Sequence, residues 1–375
     1  MSISKILVLG PIKDKSRIYG YGENINIDQC NTAGFSEMPF QIYNFKGFLK
    51  LIVYPFIFFY SGLYYSFYIA SKFKSKYKYL IVAPESPGLI LLGKFISFFL
   101  KKKFPLVYID YYWSPYLTNL DRKTNSFYSK VSILVSYQLE KLIFKFSDKI
   151  LQSVSDEAYF LNENKFNNKY SDKISNISYP CFLKESNSFV QEEDLKYHKD
   201  KIYFWGSGAP LQGVDFIIDV MNLLSLNGYN CVFCAPKSLI RGYVLNEKIE
   251  IHYFEDKNEK DVLSFYEQMR RDAYLTIGIF GESVKANHVL PNKIVESLCL
   301  GIPCITQNSN FIKQISQSID INVSSKIIFV IKDSYLVYNQ IKMRFKELQN
   351  KASVLQPLDT NYFSKEYFQK ILFYL

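Results

Sequence analysis

The sequence predicts an α/β protein made of two doubly wound parallel sheets, one per domain, facing each other across a cleft. Three observations predict it. Short β-branched runs alternate with longer helical patterns, the rhythm of parallel strands joined by crossover helices. Those strand runs are continuously apolar, as expected of strands covered on both faces. The rhythm breaks once, at a polar, acidic stretch, and then restarts. The chain has 375 residues, 48% hydrophobic and 17% aromatic, which suffices for two ordinary cores and rules out wholesale disorder.

In order, Lys5–Gly10 (KILVLG) is the first strand; its apolar run is too short for a signal peptide. Residues 79–83 and 105–110 are further buried strands, separated by an apolar helix at 88–100. A helix at 126–146 leads into a fourth strand at 147–153 (SDKILQS). Residues 181–200 (CFLKESNSFVQEEDLKYHKD) read as the linker, so the first domain is 1–180 and the second 201–360. The second domain opens with strand Lys201–Trp205, a Gly-rich turn and helix Val214–Leu226. Strands Asn230–Ala235 and 249–253, a helix at 261–271, a strand at 274–279, a helix at 292–300 and strand Cys304–Gln307 follow. Residues 361–375 form an apolar helix expected to pack back on the first domain.

Charge divides the same way. There are 45 Lys+Arg and 35 Asp+Glu, a net +10. Residues 1–180 hold 23 basic and 13 acidic side chains and 181–375 hold 22 and 22, so the whole excess, 23 − 13 = 10, lies in the first domain. Only six of the basic residues are arginine, and a base reader would want bidentate guanidinium forks, so nucleic acid is not the expected partner. Residues 51–70 carry no charge, a length that could span a bilayer. Pro55, Gly62 and the tyrosines at 54, 60, 64, 65 and 68 suit a spanning helix poorly. Lys72, Lys74, Lys76 and Lys78 follow them, and Lys101, Lys102 and Lys103 close the apolar run 89–100. Three readings stand here: a face that docks on an anionic membrane surface, a buried helix whose lysines are its solvated rim, and a true span. Among the six scattered cysteines, Cys231 and Cys234 form a lone CxxC with no second pair, which reads as buried thiols and not as a metal site.

Three loops carry the unusual residues. After the first strand, Gly20, Tyr21 and Gly22 allow close backbone approach. After Lys201–Trp205 comes Gly206-Ser207-Gly208-Ala209-Pro210-Leu211-Gln212-Gly213-Val214-Asp215. A Gly-rich strand-to-helix turn suits a phosphate at a helix N-terminus, although the P-loop lysine and the dinucleotide spacing are both missing. The third block runs from Gly278 to Thr306 and contains Phe280-Gly281, then Pro291-Asn292-Lys293-Ile294-Val295-Glu296, then Gly301-Ile302-Pro303. Pro291 and Gly301 bracket a helix. Ile294, Val295 and Leu298 make its buried face, and Lys293 and Glu296, three apart, share the other side, where a surface ion pair is the plain alternative to a role in binding.

At these residues the chain resembles the GT-B type glycosyltransferases, two Rossmann-like domains, of the retaining bacterial group that makes polysaccharide and lipopolysaccharide. That family carries G-R-x-x-x-x-K-G-x-[DE], an FG turn, and a helix ending E-x-x-x-x-G-x-P-[VI]-[IV]. Gly206, Gly213-Val214-Asp215, Phe280-Gly281 and Glu296 through Ile305 match in order and spacing, and Ser147 through Ser155 is similar to an upstream strand of the family. The resemblance implies transfer of a sugar from a nucleotide-diphosphate donor, held by the second domain, to a hydroxyl of a glycan or lipid-linked acceptor at the first. It implies a donor-binding set of Gly206, Ser207, Gly208, Gln212, Gly213, Phe280, Gly281, Lys285, His288, Leu290, Pro291, Asn292, Lys293 and Glu296, with 20–22 as an acceptor-side loop. It also implies a cytoplasmic enzyme, peripheral on the inner face of the cell membrane.

The departures are specific. The family's arginine and lysine, which clamp the diphosphate, fall on Ser207 and Gln212, and the first of its two glutamates falls on His288. Lys285 and Lys293 are the expected replacements, because the leaving diphosphate needs charge-assisted contacts. The family's first-domain histidine is missing. Asp110 and Glu85, each following a strand, are the expected carboxylates to orient or deprotonate an acceptor, with strand-end capping as their alternative role. No D-x-D occurs, so no metal and no cofactor is expected, the nucleotide sugar itself being the donor substrate. A catalytically silent, membrane-bound relative and a sugar-nucleotide epimerase of the same fold are the alternatives.

Overall fold

A computed structural model of the chain describes residues 5–10, 30–34, 77–82, 93–95, 98–99, 104–111, 114–122, 124–152, 170–176, 199–253, 259–283, 286–287, 291–308 and 327–350. The chain divides into two units, Met1–Phe182 with Phe363–Leu375, and Leu183–Tyr362. The apolar run at 51–70, all but the last two residues of the 181–200 linker, and the helix expected at 361–375 lie outside the described residues. Among the described residues no helix is long and apolar enough to cross a membrane.

Unit 1 contains strands β1 (Lys5–Gly10), β2 (Cys30–Gly34), β3 (Tyr77–Val82), β4 (Leu106–Tyr111), β5 (Lys149–Gln152) and β6 (Ile174–Asn176), with helices α1 (Pro115–Asp121) and α2 (Phe127–Phe146). All pairings are parallel, in the order β2-β1-β3-β4-β5-β6. Val107, Ile109 and Ile150 are fully buried, as continuous apolar strands covered on both faces should be. Ser114 and Ser126 cap the two helices, their hydroxyls accepting from Leu117 N–H and Ser129 N–H. Lys173 closes the far end of α2 by donating to the carbonyls of Phe144, Lys145 and Ser147.

Unit 2 contains β7 (Lys201–Trp205), β8 (Asn230–Ala235), β9 (Glu250–Tyr253), β10 (Ala273–Ile277), β11 (Cys304–Gln307) and β12 (Ile327–Val330). Its described helices are α3 (Val214–Leu226), α4 (Lys237–Ile240), α5 (Glu259–Asp272), α6 (Asn292–Cys299) and α7 (Ser334–Asn350). Every pairing is again parallel, in the order β12-β11-β10-β7-β8-β9. Side chains alternate along β7 between two cores. Ile202 and Phe204 pack with α3 and α7, while Tyr203 and Trp205 pack with Met269, Phe265 and Tyr266 of α5. The same alternation separates Cys231 from Cys234: three residues apart on one strand, they enter opposite cores as free buried thiols.

The elements that composition alone left unread are β2, β6, β12, α1, α4 and α7. β2 is Cys-Asn-Thr-Ala-Gly and β6 only Ile-Ser-Asn; neither has an apolar run, and each is an edge strand whose place comes from its neighbour's ladder. In unit 2 the first strand, β7, lies in mid-sheet. Later strands are laid to one side, β8 and β9, and then to the other, β10 to β12. The strand order therefore reverses between β7 and β10, and the carboxyl ends of those two strands are where an open α/β sheet offers a crevice.

At the amino ends of the strands, Lys201 bridges Glu250 at 2.7 Å and Asp272 at 3.3 Å. The buried Tyr203 hydroxyl donates to Asp272 at 2.6 Å. Asp272→Ala leaves that hydroxyl without its acceptor, and the expected cost is about 1–3 kcal/mol, read as a lower urea midpoint.

Candidate functional site

Both loops at the β7–β10 reversal belong to the blocks singled out in the sequence. The turn after β7 closes on itself: Gly206 N–H donates to Cys234 O at 3.0 Å, Gly208 N–H donates to Gln212 Oε1 at 3.0 Å, and Pro210–Gln212 form one 3₁₀ turn. Gly213 then takes a left-handed conformation, φ +63°, and caps α3 without a side chain. Phe280 N–H and Gly281 N–H, in the loop after β10, donate to the carbonyls of Gln212 (3.0 Å) and Leu211 (3.1 Å). The two backbones approach so closely that a Cβ on Gly213 would strike the Phe280 carbonyl, and one on Gly281 would strike the carbonyls of Pro210 and Leu211. That contact, more than turn geometry alone, requires glycine at both positions.

The joint sets the roles of several expected site residues. Gln212 stands where the family that the sequence resembles has lysine. Its amide oxygen lies against Gly206 and holds the Gly208 N–H, so it shapes the turn and supplies no charge. The Phe280 ring is fully buried and stacks on Phe216 at 4.9 Å; toward the turn it presents only backbone. Ser207 is exposed and Gly208 half-buried. The first-turn N–H groups of Val214, Asp215 and Phe216 have no acceptor within the helix. Asp215 contributes a carboxylate to that turn, already hydrogen-bonded to the Tyr243 hydroxyl.

Helix α6 brings the second group. Pro291 precedes it and its carbonyl accepts the Ile294 N–H at 3.0 Å. Thr276 of β10 donates to the Ser297 hydroxyl at 2.8 Å, fixing the helix to the sheet. Glu296 is half-buried, and its Oε2 accepts the Trp205 indole N–H at 3.2 Å. Asn292 is exposed.

Lys293 departs from the expectation of a solvated helix face. It is 6% exposed, with its ammonium 3.9 Å from the centre of the Phe204 ring and 5.9 Å from that of Trp205. From Lys293 to Cys299 every residue of the helix but Glu296 is buried, and Phe204 and Trp205 at the carboxyl end of β7 lie beside Lys293. No ion pair joins Lys293 to Glu296, and among the described residues Nζ has no hydrogen-bond partner. Burial pushes its pKa down to about 7, against the opposing pull of Cys304 and Glu296. A cation–π contact compensates part of that cost. Near neutral pH the group therefore stands between amine and ammonium, ready to take up a proton if an anion reaches it.

Two neighbours were not singled out from sequence. Trp205, one of two tryptophans, stands directly before the Gly-rich turn, and that placement was the available signal. Lys332, after β12, pairs with Glu282 at 2.7 Å and lies over the Phe216 ring; nothing in its local sequence marks it. Lys285, His288, Leu290, Glu85, Gly20, Tyr21 and Gly22 lie outside the described residues. Asp110 is in β4, paired in register with Leu151.

Lys293 carries a stability signature with a definite sign. Its folded pKa lies below the ordinary lysine value of 10.5, so between pH 7 and 10.5 the unfolded chain binds a proton that the fold does not, and stability rises with pH across that window. Lys293→Met removes the penalty. The variant is expected to melt higher than the wild type at pH 7, with the difference shrinking as pH rises toward 10.5 in thermal scans.

No family model matches the chain, and no curated protein matches it in sequence. Among solved structures it is similar to sucrose-phosphate synthase from Thermosynechococcus elongatus, with 11% identity over 97% of this chain and 94% of that one and a TM-score of 0.56. It is also similar to a Listeria monocytogenes protein described as a UDP-N-acetylglucosamine 2-epimerase, with 12% identity, 98% and 95% covered, and a TM-score of 0.52. Another UDP-N-acetylglucosamine 2-epimerase gives 10% identity, 100% and 96% covered, and a TM-score of 0.51. At such identities the likeness speaks for the fold alone: two doubly wound, parallel, Rossmann-like domains of the GT-B type.

Proposed function

We propose that the chain is a glycosyltransferase that moves a sugar from a nucleotide-diphosphate donor to a hydroxyl of a lipid-linked glycan, in the synthesis of a surface polysaccharide or lipopolysaccharide. The observation that carries this reading is the buried Lys293, without a hydrogen-bond partner among the described residues, beside Glu296 at the strand-order reversal of unit 2. There the Gly206–Gly213 turn meets the loop after β10, α3 begins, and Lys293 of α6 lies against the end of β7, and loops at such reversals take anions. The diphosphate lies along the first turns of α3 and α6, with Lys293 and Lys285 relieving the charge that develops on the leaving group. Glu296, held by Trp205, takes ribose hydroxyls. No metal or cofactor takes part in this reading, and the anomeric configuration is retained.

Unit 1 takes the acceptor. Asp110, at the carboxyl end of β4, and Glu85 are the carboxylates assigned to orient or deprotonate its hydroxyl. Phe95, Phe98 and Phe99 support a membrane face: their rings touch edge to face at 4.7 and 5.6 Å, and Phe98 is 78% exposed. Lys101, Lys102 and Lys103 follow in sequence. Aromatic side chains with lysines next in sequence fit the headgroup layer of an anionic membrane, which supports the reading of a peripheral protein on the cytoplasmic side. An epimerase acting on a soluble nucleotide sugar needs no such face, and it is the second reading because two of the similar folds are epimerases.

Calorimetry with UDP tests the donor site. Binding at pH 8 should take up about one proton, because a diphosphate restores the charge of Lys293. Lys293→Met should abolish the uptake and weaken binding roughly 10- to 100-fold, the loss of a charge-assisted contact. Binding and proton uptake both unaffected by the substitution would sink the assignment. Incubation with a panel of UDP-, GDP- and ADP-sugars, with and without a lipid-linked glycan acceptor, separates the readings: acceptor-dependent release of the nucleoside diphosphate identifies a transferase, a C2 epimer of the nucleotide sugar identifies an epimerase, and binding without either product identifies a silent relative. For the membrane face, wild-type protein should float with phosphatidylglycerol vesicles at low salt, and Phe98→Ser with Phe99→Ser should remain below.

A further inference from the structure

An unusual ionisable group away from the proposed donor site is Glu140, on α2 in unit 1. It is 1% exposed. Its Oε1 accepts from the Ser114 hydroxyl at 2.8 Å and from the Tyr116 N–H at 2.8 Å, and its Oε2 accepts from the Tyr111 hydroxyl at 3.1 Å. Ser114 in turn accepts the Leu117 N–H at 3.0 Å. One carboxyl therefore ties the last residue of β4 to the first turn of α1, acting from a third element as part of that helix's N-terminal cap. The Tyr111 ring is wedged on Phe144 at 5.1 Å, and Phe144 packs on Tyr170, so the hydroxyl that meets Glu140 is itself held.

A core that needed only stability would be better served by an apolar residue here, because a buried carboxyl is costly to ionise and each polar group left half-satisfied adds to the cost. We propose that Glu140 is a positioning residue, clamping the carboxyl end of β4, which carries Asp110, to the N-terminus of α1, and that loss of its proton tightens the clamp. In the ionised form three donors point at the two oxygens. In the neutral form the carboxyl holds a proton on Oε2, and the Tyr111 hydroxyl must turn from donor to acceptor while the Ser114 and Tyr116 contacts persist. The change is therefore centred on the Tyr111 hydroxyl at the strand end, which also hydrogen-bonds with Ser114. The groups facing Glu140 are Tyr111 from β4 and Ser114 and Tyr116 from the α1 turn; among the described residues no lysine, arginine, histidine or second carboxylate pairs with it. Burial pushes its pKa up to about 8, against the three donors, which lower it, so the change of state falls in an accessible range. That this strand end serves an acceptor rests on the transferase reading above; the clamp itself does not.

The experiment uses the full chain labelled with 5-fluorotryptophan. The chain has two tryptophans, Trp113, between the clamped residues in sequence, and Trp205 in unit 2, and Trp113→Phe assigns their fluorine resonances. In the wild type the Trp113 signal should titrate with a midpoint near 8, while Trp205, beside Lys293, follows its own midpoint near 7. Glu140→Gln should flatten the Trp113 titration and leave that of Trp205 in place. Tyr111→Phe, which keeps the carboxyl and removes one donor, should move the Trp113 midpoint upward, so the test survives a Gln variant that fails to fold. A Trp113 signal that is flat in the wild type, or that titrates unchanged in both variants, overturns the proposal. UDP binding measured on the same samples keeps the two readings apart. Its absence in the wild type would remove the donor assignment, while the clamp would still stand or fall on the Trp113 resonance; its loss only in Glu140→Gln would count against a role confined to unit 1.

Discussion

Phe280 and Gly281 donate their N–H groups to the carbonyls of Gln212 and Leu211, and the candidate site of unit 2 depends on how close those two bonds bring the loops. Neither loop has a fixed shape from its own sequence. Joined, each becomes the other's wall, and the contact leaves no room for a Cβ at Gly213 or Gly281. Gln212 completes the arrangement by turning its amide onto Gly208 N–H. A lysine there would have no acceptor to offer. The departure at this position from the family that the sequence resembles is therefore structural: the turn is stiffened from inside, and any charge on a bound anion must be met from elsewhere.

It is met, in the reading developed above, from α6. Lys293 and Glu140 are two buried ionisable side chains shifted in opposite directions, and their surroundings differ in an informative way. Glu140 is surrounded by donors and costs the fold only its desolvation. Lys293 rests on an aromatic ring with no acceptor among the described residues. Structural cores seldom leave a polar atom in that condition, and strongly perturbed groups concentrate where proteins bind or react. A satisfied carboxyl speaks for positioning, and an unsatisfied ammonium for a ligand.

Much of the fold was legible because its signals are local. Continuous apolar runs such as those of β7 and β8 state that they are buried on both faces, and the serine before α2 and the proline before α6 mark helix starts without reference to anything distant. β2 was illegible for the converse reason: Cys-Asn-Thr-Ala-Gly becomes a strand because β1 lies beside it in register. The site was legible as a set of positions and illegible as a set of roles. Phe280 reads as part of a binding turn yet packs its ring on Phe216. Trp205 reads as strand core, yet its indole N–H holds Glu296.

What the sequence by itself determined is the class of the molecule: two parallel α/β units, a charge excess confined to the first, and two glycine-bearing loops with a PNK-x-x-E helix in the second. Those follow from periodicity, composition and spacing, which act over a few residues at a time. Only the tertiary structure decided that Lys293 faces inward and that Gln212 is a brace. Only the tertiary structure, too, set one carboxyl at the junction of β4 and α1. The physical reason is common to all three. Desolvation and hydrogen-bond satisfaction depend on which distant residues close around a group, and residues far apart in the chain, such as Phe204 and Lys293 or Tyr111 and Glu140, meet only when the sheets form.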